Sequence, residues 1–109
     1  MQKFGLDSLR TEKLSALELE IVEEQAGALG RAGKKLRMSL ERYESAQKNG
    51  ATEAEQADLI NQISSCAWEL LLQREFVGFV QGNMTWITKH YKIPREAIRN
   101  LGKTIKPEQ

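Results

Sequence analysis

A chain of 109 residues with 40% hydrophobic and 28% charged residues has the composition of one globular domain with a modest core. The 16 Lys and Arg against 15 Asp and Glu leave a net charge of +1, so no global field favours nucleic acid or an anionic membrane, and any such role needs a local basic patch. The single cysteine, Cys66, excludes an intramolecular disulfide and a cysteine-based zinc site. The N-terminal "MQKFGLDSLRTEK" lacks the apolar run of a secretory signal, and no stretch reaches the ~20 apolar residues of a membrane span. A cytoplasmic protein with no membrane partner is expected.

Prolines stand only at 94 and 107, which leaves residues 1–93 free of the strongest helix breaker. A first helix is predicted over 11–48, a stretch rich in Leu, Ala, Glu, Lys, Arg and Gln. Its seam alternates steps of three and four through Leu19, Val22, Ala26, Leu29, Gly33, Leu36, Leu40 and Tyr43. Charged residues such as Glu20, Glu23, Glu24, Arg31, Lys34 and Glu41 take the other face. Asn49-Gly50 supplies a stop that tolerates left-handed backbone.

Thr52-Glu53-Ala54-Glu55 matches a capping box and opens a second helix, predicted to run to 81. Ile60, Ile63, Ala67, Leu70, Arg74 and Val77 keep helical spacing, while Trp68, Leu71, Leu72, Phe76 and Phe79 widen the apolar arc. So wide an arc must bury against more than one neighbour. Gly82-Asn83 ends this helix, and a short third helix follows over 84–91. Pro94 then opens a fourth over 94–101, which Gly102 terminates. Residues 1–10 and 103–109 read as frayed ends.

The predicted fold is therefore all-α and a single domain: a long antiparallel hairpin with two short C-terminal helices. Facing positions across the short link should sum to about 100, which sets Gly33 opposite Trp68 and Gly27 opposite Arg74. Two long helices leave a side of each uncovered, so a second copy is expected to complete a four-helix core, with Leu72, Phe76 and Phe79 as its interface.

The segment "AGALGRAG", residues 26–33, looks at first like a phosphate loop. That pattern would need glycine at 28 and Ser or Thr at 35, where Ala28 and Lys35 stand, and no strand precedes it. Ala26, Gly27, Gly30 and Gly33 instead read as a smooth face for helix packing, with Trp68 across it, or as a local kink. Arg74 at a core-spaced position needs a partner, and Glu20, Glu23 and Glu24 are the expected ion-pair acceptors. The alternative is an anion-binding arginine over a glycine floor. Glu20 and Glu24 share a face, but the only histidine, His90, has Ile87 three residues before it, so a di-iron pattern fails. Cys66 reads as a buried thiol and His90 as a surface residue. No catalytic constellation, metal site or cofactor site emerges.

The segment "ITKHYKIPREAIRN", residues 87–100, resembles a helix-turn-helix core such as those of bacterial repressors. Arg95, Arg99 and Asn100 would then meet phosphates or base edges. Lys92 replaces the usual turn glycine, and Gly102 stops the second helix early. More broadly, "ALELE" with "AGALGRAG", "W" with "QREFVGF", and "YKIPREAIRNLG" resemble a small uncharacterised bacterial family, a helical domain of unknown function, over 16–102. The resemblance implies a compact helical bacterial protein and carries no activity. The leading functional expectation is a non-enzymatic interaction or assembly module that forms a homodimer; the alternative is a DNA-binding regulator using residues 84–102.

Overall fold

The structure, a computed structural model, describes residues 16–103. Within them the chain forms four helices and no strand: α1 (Ala16–Lys48), α2 (Glu53–Phe76), α3 (Asn83–His90) and α4 (Arg95–Arg99). The all-α hairpin with two short C-terminal helices is the observed fold. The predicted first turn of α1 (11–15) and the termini read as frayed lie outside the described residues, apart from Lys103. That residue's N–H donates to the Asn100 carbonyl at 2.9 Å, so it belongs to the turn that follows α4.

Both long helices stop by the same device. After α1, Ala51 N–H reaches back to the Ala46 carbonyl (3.0 Å) and Gly50 N–H to the Gln47 carbonyl (3.3 Å), with Gly50 at φ +76°. After α2, Phe79 N–H reaches the Arg74 carbonyl (2.9 Å) and Gly78 N–H the Glu75 carbonyl (3.0 Å), with Gly78 at φ +109°. These paired bonds satisfy the last carbonyls of a helix and need a left-handed residue at the turn. The stop of α2 is thus Gly78, not Gly82-Asn83, and the helix is five residues shorter than the apolar spacing of Val77 and Phe79 predicts.

The predicted capping box opens α2: Thr52 Oγ1 accepts from Glu55 N–H (3.1 Å), and Glu55 Oε1 accepts from Thr52 N–H (2.9 Å). Pro94 precedes α4 instead of forming its first residue, and its carbonyl accepts from the N–H groups of Ala97 and Ile98.

α2 lies at the centre and packs against α1, α3 and α4, which is how its wide apolar arc is used. Ile60, Ile63, Ala67, Leu70 and Leu71 of α2 are buried with Ala32 and Leu36 of α1, Ile87 of α3 and Ala97 of α4. Cys66 is partly buried against this core. The 2.8 Å ion pair between Lys35 and Glu69 marks the register of the hairpin. About one turn nearer the link on each helix, the small residues Ser39 and Ser64 are fully buried. Counting from the same pair, α2 ends about level with Ala28. Residues 16–26 of α1 therefore run on as an arm, about 16 Å long at ~1.5 Å per residue, and every residue in it is exposed.

Candidate functional site

Arg74 sits in the last turn of α2 and is held by the segment that follows. Its Nε donates to Asn83 Oδ1 at 2.7 Å, and Asn83 Nδ2 donates in turn to the Phe79 carbonyl at 2.6 Å. The guanidinium lies 3.7 Å from the centre of the Trp86 ring and 4.4 Å from that of Phe79. Trp86 stacks with His90 at 4.9 Å and meets Tyr91 edge-on at 6.0 Å. A guanidinium on aromatic faces is stabilised by the ring quadrupoles, by about 0.5–2 kcal/mol depending on desolvation.

These contacts replace the expected ion pair of Arg74 with Glu20, Glu23 or Glu24. The reason is register: all three carboxylates lie on the arm, beyond the end of α2. Glu24 instead accepts from Arg31 at 2.9 Å, an exposed pair one heptad along α1. Among the described residues, nothing bonds to the two terminal nitrogens of Arg74. His90 is exposed, as expected of a surface residue, but it is also a member of the ring stack.

Arg74 forms one wall of a cleft of about 250 Å³ between α1 and α3. Gly30, Gly33, Lys34 and Arg37 line it from α1, and Trp86 and Tyr91 from the far side. Among the described residues, three cationic side chains and no carboxylate line it. The glycines differ from one another here. A Cβ on Gly33 would stand 3.2 Å from the Tyr91 hydroxyl; one on Gly30 would meet nothing within 4 Å; one on Gly27 would meet only the Arg31 side chain. Trp68 does not cover this face: its ring lies against Gly102 at the end of α4, where a Cβ would approach it to 3.6 Å. Ala26 is exposed on the arm. α1 runs unbroken through all three glycines, none of which has a positive φ. The packing partner of the glycine face is thus Tyr91 at Gly33, because the chain after α3 folds over α1 at that level.

A second feature adjoins the cleft. Of the ten large hydrophobic side chains exposed among the described residues, nine belong to the arm or to positions 72–84, the same end of the hairpin. Leu17 (65% exposed) and Ile21 (49%) stand on the arm, and Phe76 (65%) and Val80 (71%) at the corner after α2. Leu72 and Phe79, named from sequence with Phe76, are exposed there too. The arm's apolar residues, Val80 and Met84 extend that set; so do Asn83, Trp86 and Tyr91 for the cleft. Their signal in the sequence is the turn glycine Gly78, which would have ended α2 early and folded "GNMTW" back on it.

Arg95 and Arg99 are exposed on α4, a helix of five residues, with Glu96 between them. Asn100 is half-buried and caps α4 through its backbone. No helix among the described residues is long and apolar enough to cross a membrane.

Comparison with curated proteins and with solved structures finds no match. The model of a family of unknown function, DUF6665, matches residues 7–108, and the chain belongs to that family.

Proposed function

We propose that the protein is a non-enzymatic helical interaction module that works as a homodimer. The observation that carries this reading is the one-ended distribution of exposed apolar surface. Single exposed hydrophobics are ordinary, but a group confined to one end of a small domain marks a contact surface. The seam residues Leu19, Val22 and Ala26 continue the core-facing line of α1 past the point where α2 stops, and among the described residues no helix packs on them there. The resemblance and the single thiol suit the cytoplasm of a bacterium as its setting. Light scattering at micromolar concentration should give about twice the 12.4 kDa chain mass. A monomer at tens of micromolar would overturn the reading. Phe76→Ser should weaken the dimer without loss of helicity.

A second reading, duplex binding, rests on the exposed guanidiniums of Arg95 and Arg99. It requires binding that falls steeply with salt and weakens in Arg95→Ala and Arg99→Ala. The five-residue length of α4 offers little helix to a groove, which favours the dimer.

A further inference from the structure

Resting on that homodimer, we infer that its two copies exchange arms, residues 16–26 of each chain docking at the Arg74 cleft of the other. Charge decides the occupant. The arm carries Glu18, Glu20, Glu23 and Glu24 and no Lys or Arg. Zipping two such arms together would set Glu20 and Glu23 of one copy against those of the other, and like charges at that spacing repel. The arm needs a basic seat with apolar surface beside it. The cleft supplies Lys34, Arg37 and Arg74, and no carboxylate lines it among the described residues.

Arg74 is suited to the role. Its Nε is taken by Asn83, and the aromatic rings hold its plane in place. Its two terminal nitrogens have no partner among the described residues, and together they present the fork that a carboxylate accepts. Glu20 and Glu23 are exposed carboxylates beside the apolar line of Leu19, Val22 and Ala26. Glu24 is engaged with Arg31. An arm laid along the corner of a partner would put its apolar line against the exposed Phe76 and Phe79, and Phe79 is already in contact with Arg74. Exchange about a two-fold axis satisfies both copies at once and closes the assembly at two. The carboxylates that sequence spacing assigns to Arg74 would then reach it from the other chain.

The test uses two full-length variants, Arg74→Glu and the double change Glu20→Lys with Glu23→Lys. At low salt each alone should be a monomer at concentrations where the wild type is a dimer, with Kd raised at least tenfold. Mixed in equal amounts they should form a heterodimer, because the side chains that meet at position 74 are then of opposite charge in both halves of the assembly; native mass spectrometry with one chain isotopically labelled identifies it. If the wild type dimerises and both variants do so equally well, or the mixture stays monomeric, arm exchange is wrong while the homodimer stands. If the wild type is a monomer, the homodimer and the exchange fall together. Should Arg74→Glu lose its helical signal, Lys34→Glu with Arg37→Glu replaces it, since both side chains are exposed. The same heterodimer is expected of that pair, and its absence overturns the exchange.

Discussion

Asn83 joins the end of α2 to the start of α3: its side-chain oxygen takes the Arg74 Nε proton at 2.7 Å, and its amide nitrogen donates to the Phe79 carbonyl at 2.6 Å. One residue thereby fixes the guanidinium and the corner on which it rests. Asn83→Ala should destabilise the fold by about 1–3 kcal/mol, as expected when a half-buried charged donor loses its acceptor. That corresponds to a melting point lower by roughly 4–8 °C per kcal/mol in a domain of this size. Thermal unfolding followed by circular dichroism checks it, and an unchanged midpoint would mean that the ring stack alone holds Arg74.

The glycines of α1 should separate by substitution. Gly30 meets open space, so Gly30→Ala should stabilise the helix by about 0.5–1 kcal/mol. Gly33→Ala should gain less or lose, because its new methyl stands 3.2 Å from the Tyr91 hydroxyl, which must shift to admit it. Urea unfolding of the two variants side by side gives the comparison. Equal gains would show that Tyr91 moves aside freely.

Ser64 is fully buried, and among the described residues its hydroxyl has no hydrogen-bond partner, whereas Ser39 donates to the Leu36 carbonyl at 2.8 Å. Ser64→Ala removes an unsatisfied polar group at nearly constant volume and should be neutral or stabilising by up to about 1 kcal/mol. Ser39→Ala should cost about 0.5–1.5 kcal/mol, since a made bond is lost. The opposite order in denaturant midpoints would mean that Ser64 is the better satisfied of the two.

The Lys35–Glu69 pair gives a pH signature. The hydrogen bond and charge of Glu69 raise the Lys35 ammonium above the ordinary lysine range. A raised folded-state value gives stability that is complete below the unfolded-state value and is lost as the pH climbs through the folded one. The deficit of Glu69→Gln against wild type should therefore hold level from pH 7 to 9 and shrink only at higher, lysine-titrating pH. Both side chains are substantially exposed, so the deficit should be only about 0.2–1 kcal/mol and should fall with salt. A deficit that changes between pH 7 and 9 would point to another titrating group.

Much of the fold is written locally. The capping box at Thr52 and Glu55, the left-handed stop at Gly50 and the helical spacing of Ile60, Ile63, Ala67 and Leu70 involve residues within a few positions of one another. Their physics is complete before any tertiary contact forms, so the sequence by itself determines the long hairpin, its tight link and the central place of α2. Gly78 was legible by the same rule, but Val77 and Phe79 prolong the apolar pattern across it and mask the stop. The partners of Arg74, of Gly33 and of Trp68 were not legible, because each depends on where a remote segment comes to rest. Ending α2 at Phe76 leaves Glu20, Glu23 and Glu24 on an arm past its end, turns "GNMTW" back toward Arg74, and brings Tyr91 over Gly33. Only the tertiary structure decides those pairings, since a shift of one helical turn in register or in stop position exchanges every partner across the interface while leaving each local signal unchanged.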